Sequence, residues 1–132
     1  MDAATKQLVR RRAGNRCEYC HLPEKFSGLR FHIEHIVPRQ HRGADDADNL
    51  ALACPECNLH KGTNLTGVDP DTNEVTLLFH PRRDRWEDHF ASVDGSIVGK
   101  TPAGRTTAWL LKMNAGENLR MRQRLFRLGL LR

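Results

Sequence analysis

The four cysteines of this 132-residue chain stand in two pairs. Cys17 and Cys20 form one Cys-x-x-Cys pair, and Cys54 and Cys57 form the other. Four thiolates with this spacing suit a tetrahedral zinc ion, whereas a thioredoxin-like redox pair is the alternative interpretation. Two such pairs in one short chain favour the metal. Because four thiolates leave no position open for water, we expect a structural zinc that stabilises the fold and takes no part in catalysis.

A second set of reactive side chains lies between and just after these pairs. It comprises Glu34, His35, Asn49, Asn58 and Lys61. Hydrolysis of a phosphodiester requires a water nucleophile, a base that deprotonates it, and a cation that neutralises charge on the phosphate. Histidine suits the base, and carboxylate and amide oxygens suit a hard cation such as Mg²⁺ or Mn²⁺. The set therefore has the residue types that metal-dependent phosphodiester cleavage needs.

The segment from Phe31 to Asn64, FHIEHIVPRQHRGADDADNLALACPECNLHKGTN, resembles the signature of the HNH nucleases. It has an acid-His-Ile-x-Pro opening, an Asn-Leu middle and a Cys-x-x-Cys-Asn-x-x-Lys-Gly close. The resemblance extends to Cys17 and Cys20, since a zinc-bound subset of this family carries the same four cysteines. It implies an α+β fold built on a beta-beta-alpha-metal unit, also called a His-Me finger, in which a hairpin packs on one helix with the catalytic metal between them.

The resemblance also implies a role for each residue of the second set. His35 would be the general base that activates water, and Asn49 would pin the hairpin loop that aims it. Glu34 and Asn58 would hold the catalytic ion, and Lys61 would contact phosphate. Because Asn58 stands where the family often has histidine, the chain is an H-N-N version of the motif, which favours Mg²⁺ or Mn²⁺ over zinc as the catalytic ion.

Ordinary structural roles are the alternative for each of these side chains. His35 could be a half-buried strand histidine, and Asn58 and Lys61 could be solvated helix positions. His32 lies two residues before the acidic residue, so it should share its face of the strand and could support the metal site or bind phosphate. His60 is a weaker candidate for such a supporting role.

Hydrophobic periodicity and turn residues predict the elements that position these side chains. We predict a basic helix over 3–12, followed by a hairpin of strands 29–37 and 49–53. A helix over 54–61 should then begin at the second cysteine pair and end at Gly62.

The second half of the sequence is less informative. We predict a turn-rich segment, a strand, a short helix, a hairpin and two helices, over 67–73, 74–79, 86–90, 93–98, 106–113 and 118–128. No repeat, low-complexity tract or linker divides the sequence. We therefore expect a single HNH nuclease domain over 1–132, with a core at about 15–66 and a C-terminal extension from about 67.

The formal charge of +5 permits a polyanionic partner but does not establish one. The cations of the second half could line a DNA groove or could simply be solvated: Arg82, Arg83, Arg85, Arg105, Lys112, Arg120, Arg122, Arg124 and Arg127. We see no groove-reading module, which predicts low sequence specificity. We also see no apolar run of signal-peptide or membrane-spanning type, which predicts a cytoplasmic protein.

These observations favour a metal-dependent endonuclease of bacterial or phage type that nicks or cuts double-stranded DNA. A zinc-stapled nucleic-acid-binding module without cleavage activity is the main alternative. A protein-interaction domain would explain the cysteines but would leave the Glu34-His35 pair without a purpose. The sequence leaves open whether the protein acts as a monomer or as a homodimer.

Overall fold

The first helix leads directly into a turn that carries the first cysteine pair. In the computed structural model, which describes residues 1–131, α1 spans Ala3–Arg12 as predicted. Asp2 caps it by accepting a hydrogen bond from the backbone N–H of Thr5 at 2.7 Å. Gly14 and Asn15 follow with positive φ angles of 64° and 54°, which turn the chain out of the helix. A short helix α2, Glu24–Ser27, was not predicted.

A hairpin and a helix form the centre of the first half. β1, His32–His35, pairs antiparallel with β2, Leu50–Ala53, so that His35 lies opposite Leu50. α3, Pro55–Lys61, follows at once, with proline in its first turn and Gly62 at its end. These predicted elements are confirmed, although β1 is shorter than the predicted strand over 29–37. Asn49 ends a 3-10 turn, Ala47–Asn49, and lies outside the strand predicted to contain it.

The second half adds two hairpins and three helices. The elements are β3 Thr66–Val68, β4 Val75–Leu77, α4 Trp86–His89, β5 Phe90–Val93, β6 Ser96–Gly99, α5 Pro102–Leu110 and α6 Gly116–Arg127. β3 pairs with β4, and β5 pairs with β6.

Most predictions for the second half are confirmed. Asp94 and Gly95 both have positive φ, as the turn of the β5–β6 hairpin requires. Two elements differ from their predicted bounds. β3 extends into the segment predicted as turn-rich, whose turn lies at residues 70–72. The helix predicted over 106–113 begins earlier because Thr101 caps it, accepting from the N–H of Gly104 at 3.0 Å.

One buried apolar cluster joins the two halves of this mixed α/β fold. It includes Val9 and Leu52 from the first half and Phe79, Phe90 and Leu125 from the second. The first hairpin and the C-terminal extension therefore share one core. Among the described residues, no helix is long and apolar enough to cross a membrane.

Candidate nuclease site and zinc centre

The four cysteines meet in one buried cluster. Their Sγ atoms all lie within 4.8 Å of one another, and those of Cys20 and Cys54 are 3.8 Å apart. A tetrahedral zinc with Zn–S bonds of about 2.3 Å places its sulfurs about 3.8 Å from one another. The cluster therefore has the spacing, the burial and the ligand type that a structural zinc requires.

Local backbone geometry prepares the thiols for metal. The N–H of Cys20 donates to Sγ of Cys17, and the N–H of Cys57 donates to Sγ of Cys54, both at 3.4 Å. The thiols also share hydrogen bonds with one another, which lower the pKa of Cys20 and raise those of Cys54 and Cys57. Donors around sulfur favour the thiolate, which is the form that binds zinc.

His35 lies at the end of β1, where the strand enters the loop between the two hairpin strands. Its Nε2 lies 2.7 Å from Oδ1 of Asp45, and its side chain is one-fifth exposed. Arg39 donates to both carboxylate oxygens of Asp45, at 3.0 and 3.2 Å. The hydrogen bond from His35, followed by that from Arg39, lowers the pKa of Asp45. Asp45 thus contacts both Arg39 and His35, and it links the loop to the end of β1.

Asp45 was missed in the sequence analysis. It belongs to the run Asp45-Asp46-Ala47-Asp48, which reads as an acidic loop without a specific partner. A general base needs an acceptor that orients its ring. A carboxylate in the loop after the strand was therefore the sequence signal that could have identified Asp45.

Asn49 clamps this same loop from its far end. Its Oδ1 accepts from the N–H of Val37 at 2.9 Å, and its Nδ2 donates to the carbonyls of Val37 and Ala44 at 2.9 and 2.8 Å. The side chain therefore ties the start of the loop to the stretch just before Asp45. These contacts are those that a residue pinning the loop would make.

The segment that carries these features also matches a known family. Residues 17–64 match the family model described as HNH endonuclease. We refer to this matched segment as the HNH domain. The match contains all four cysteines together with His35 and Asn49. The comparisons with curated proteins and with solved structures gave no match.

Glu34 of the HNH domain lies inside the fold rather than at an open metal site. It is 7% exposed. Its Oε1 accepts a hydrogen bond from the hydroxyl of Tyr19, and its Oε2 lies 3.2 Å from Nζ of Lys61. Burial raises the pKa of Glu34, whereas the charge of Lys61 opposes that shift. Binding of a metal would require the carboxylate to give up one of these partners, so its placement does not support the predicted ligand role.

Lys61 also departs from its predicted role. It is 2% exposed, and its ammonium donates to the carbonyls of Ile36 and His35 at 3.0 and 3.3 Å. An ammonium enclosed in this way does not contact a phosphate on the surface. Lys61 instead joins α3 to the end of β1 that carries His35.

The remaining candidates of the HNH domain lie apart. Asn58 is half-buried on α3, and its side chain makes no hydrogen bond with the described residues. His32 is exposed at the opposite end of β1, about 10 Å along the strand from His35. His60 pairs with Glu56 one helical turn away, at 3.3 Å. The structure therefore does not bring His32 to His35.

Some of the cations that could have lined a DNA groove are engaged within the protein. Arg82 pairs with Glu18 and Arg105 with the buried Asp69. Arg122 is fully buried. These three are therefore not free to contact phosphate, whereas Arg120 pairs with Glu117 on the surface and stays exposed. The other members of the set remain exposed: Arg83, Arg85, Lys112, Arg124 and Arg127.

A basic cleft lies instead at the C-terminal end of α1, and α1 contacts the 3-10 turn that ends the loop between β1 and β2. The cleft has a volume of about 610 Å³ and no carboxylate in its lining, and its cations are Arg11, Arg12, Arg16 and Lys25. Arg12 connects the cleft to the loop, since it donates to the carbonyls of Ala47 and Leu50 at 2.9 and 2.8 Å. Leu50 is the strand partner of His35. The sequence indicated a basic first helix but gave no sign that it lies against this loop.

Proposed function

We propose that this protein is an endonuclease that hydrolyses DNA phosphodiester bonds with His35 as its general base. One observation carries the proposal: within a segment that matches the HNH family, a histidine at a strand end is held by Asp45 on a loop that Asn49 clamps. A pure binding module needs no such arrangement around an imidazole.

Asp45 fixes which ring nitrogen acts. A carboxylate with a lowered pKa accepts hydrogen bonds, so Nε2 of His35 carries the proton that it donates to Asp45. Nδ1 is then the nitrogen with a free lone pair, and it takes a proton from water. The water oxygen bonds to phosphorus as the bond to the 3′-oxygen breaks, and the leaving oxygen takes a proton from solvent.

The resemblance implies a catalytic Mg²⁺ or Mn²⁺, which would neutralise charge on the phosphate. Asn58 has an amide oxygen free for such an ion. Glu34, the other predicted ligand, is committed to Tyr19 and Lys61. The predicted pair does not fit the ion as placed, and no step of the mechanism is derived through it.

The proposal extends to the fold, the zinc ion and the domain organisation. We propose that β1, β2 and α3 constitute the beta-beta-alpha-metal unit, that zinc on the four cysteines is structural, and that residues 1–132 act as one domain. The basic cleft around Arg11 and Arg16 would hold the backbone of double-stranded DNA beside His35. Phosphate contacts position DNA without reading its sequence, so cleavage would have low sequence specificity.

Supercoiled plasmid tests this proposal against a binding module without cleavage activity. Zinc-loaded protein is incubated with plasmid in the presence of Mg²⁺, Mn²⁺ or a chelator too weak to remove the structural zinc, and nicked and linear products are separated on a gel. We expect cleavage with added metal and none with chelator. Protein that shifts the plasmid but leaves it supercoiled under every condition would establish the binding module.

A further inference from the structure

The last helix of the protein lies against the cysteine cluster. Nδ2 of Asn118, on α6, donates to Sγ of Cys54 at 3.3 Å. Arg122 stands four residues later, so it shares the helix face of Asn118. One face of the C-terminal extension therefore packs directly on a zinc ligand of the HNH domain.

Arg122 is a fully buried cation, and its hydrogen-bond partners among residues 1–131 are all neutral. It is 0% exposed. Nε donates to the carbonyl of Gly95 at 2.8 Å, and Nη2 donates to that of Met113. Nη1 is buried and has no hydrogen-bond partner in the described part of the chain. No carboxylate of residues 1–131 forms an ion pair with this guanidinium.

A buried charge of this kind requires an anion nearby. Guanidinium stays protonated in proteins, and leaving a charge buried without a counter-charge is strongly unfavourable. Zinc on four thiolates is such an anion, because two positive and four negative charges leave a net charge of −2. Asn118 contacts Sγ of Cys54 from the same helix face, so Arg122 lies one helical turn away from a sulfur of this cluster.

We propose that Arg122 is the buried counter-charge of the four-thiolate zinc centre and that α6 thereby sets the affinity for zinc. Asn118 supplies a hydrogen bond to one sulfur, and Arg122 compensates the excess negative charge. The extension is then part of the zinc centre, although all four ligands belong to the HNH domain. The proposal concerns zinc binding and stands whether or not the protein cleaves DNA.

Zinc affinity of the reduced, full-length protein tests it directly. Affinity is measured by competition with a chromophoric zinc chelator for the wild type, Arg122→Met, Arg122→Lys and Arg124→Met. Arg124 is an exposed arginine of the same helix and gives the matched control. We expect Arg122→Met to weaken zinc binding by about tenfold to a hundredfold, the range for residues that support metal ligands. Arg122→Lys should recover most of the affinity, and Arg124→Met should leave it unchanged.

The lysine variant separates charge from packing. Lysine restores the charge but not the paired hydrogen bonds to Gly95 and Met113. An affinity as low in Arg122→Lys as in Arg122→Met would show that those bonds matter and the charge does not. Unchanged zinc affinity in Arg122→Met would also overturn the proposal.

Asn118 provides a second test if the Arg122 variants do not fold. Asn118→Asp places a negative charge beside the sulfur of Cys54, whereas Asn118→Ala only removes the hydrogen bond. We expect Asn118→Asp to weaken zinc binding more than Asn118→Ala does. Equal affinities in the two variants would show that the zinc centre does not respond to charge on α6.

Discussion

Asp45 holds the imidazole of His35 in one tautomer and one orientation. Asp45→Asn keeps the shape of the side chain but removes its charge, so the proton on Nε2 is no longer fixed. We expect kcat for plasmid nicking to fall, but by less than the roughly 100- to 10,000-fold that a general base itself contributes. KM should change little. Asp46→Asn, at the next exposed position, is the control. A fall in kcat of the same size in both variants would mean that loop charge matters rather than the contact with His35.

Substitution of Glu34 distinguishes a structural role from a metal-binding role. Glu34→Gln leaves the ammonium of Lys61 buried without its anion, which costs about 3–5 kcal/mol. We therefore expect a clear loss of stability in urea denaturation of the zinc-loaded protein. A variant with wild-type stability that needs more Mg²⁺ for cleavage would instead restore the predicted role of Glu34 as a metal ligand.

The strand geometry explains why the structure separates Glu34 from His35. Successive side chains of a strand point to opposite faces, so neighbours such as Glu34 and His35 do not face one site from a regular strand. The resemblance assigned both to the metal site. Glu34 is held inside the fold by Tyr19 and Lys61, which are distant from it in sequence. The local sequence pattern does not predict these contacts.

The loop from Ile36 to Asn49 determines where His35 points. A Cβ added to Gly43 would lie 1.6 Å from the carbonyl oxygen of Val37 and 2.9 Å from Nδ2 of Asn49. Gly43→Ala must therefore displace the loop at the point that Asn49 clamps. We expect a large loss of nicking activity with the zinc content of the purified protein retained. Ala44→Gly introduces no such clash and should stay active; equal activity in the two variants would contradict this account of the loop.

The elements with strong local signals were predictable from sequence. α3 has proline in its first turn and glycine at its end, and the β5–β6 hairpin has Asp94-Gly95 at its turn. The elements that were missed lack such signals. α2 is a single turn of helix, and β3 is held by pairing with β4 across a segment rich in turn residues. Whether such short elements form depends on tertiary pairing rather than on local propensity.

The two halves of the protein are joined by polar contacts as well as by the core. Nε1 of Trp86 donates to the carbonyl of Tyr19 at 2.8 Å, within the turn that carries the first cysteine pair. Arg82 pairs with Glu18 in the same turn. Sequence analysis left Arg82 as a possible DNA contact because a charge pattern does not reveal which cations find carboxylates in the folded chain.

Asp69 is a buried carboxylate whose charge stabilises the extension. Arg105 donates to both of its oxygens, at 3.1 and 2.7 Å, and this pair, with the backbone N–H of Asp71, lowers the pKa of Asp69 to about 2. Because the pKa is higher in the unfolded chain, the unfolded state binds the proton more readily. The stabilisation is therefore complete above about pH 4 and is lost as the pH falls toward 2.

Comparison of the wild type with Asp69→Asn checks this dependence. We expect the variant to be less stable in urea at neutral pH and the difference in unfolding free energy to shrink below about pH 4. Because zinc release in acid acts on both proteins, the difference isolates Asp69. A difference that stays constant down to pH 2.5 would show that the charge of Asp69 is not what stabilises the fold.

The role of His35 as the base is the central claim, and the initial rate of plasmid nicking by His35→Ala tests it most directly. His32→Ala removes a histidine from the same strand at an exposed position away from the loop, and it serves as the matched control. We expect His35→Ala, folded and zinc-loaded, to lose about 100- to 10,000-fold in rate while His32→Ala stays within a few-fold of the wild type. A His35→Ala protein that still cuts at the wild-type rate would contradict the claim.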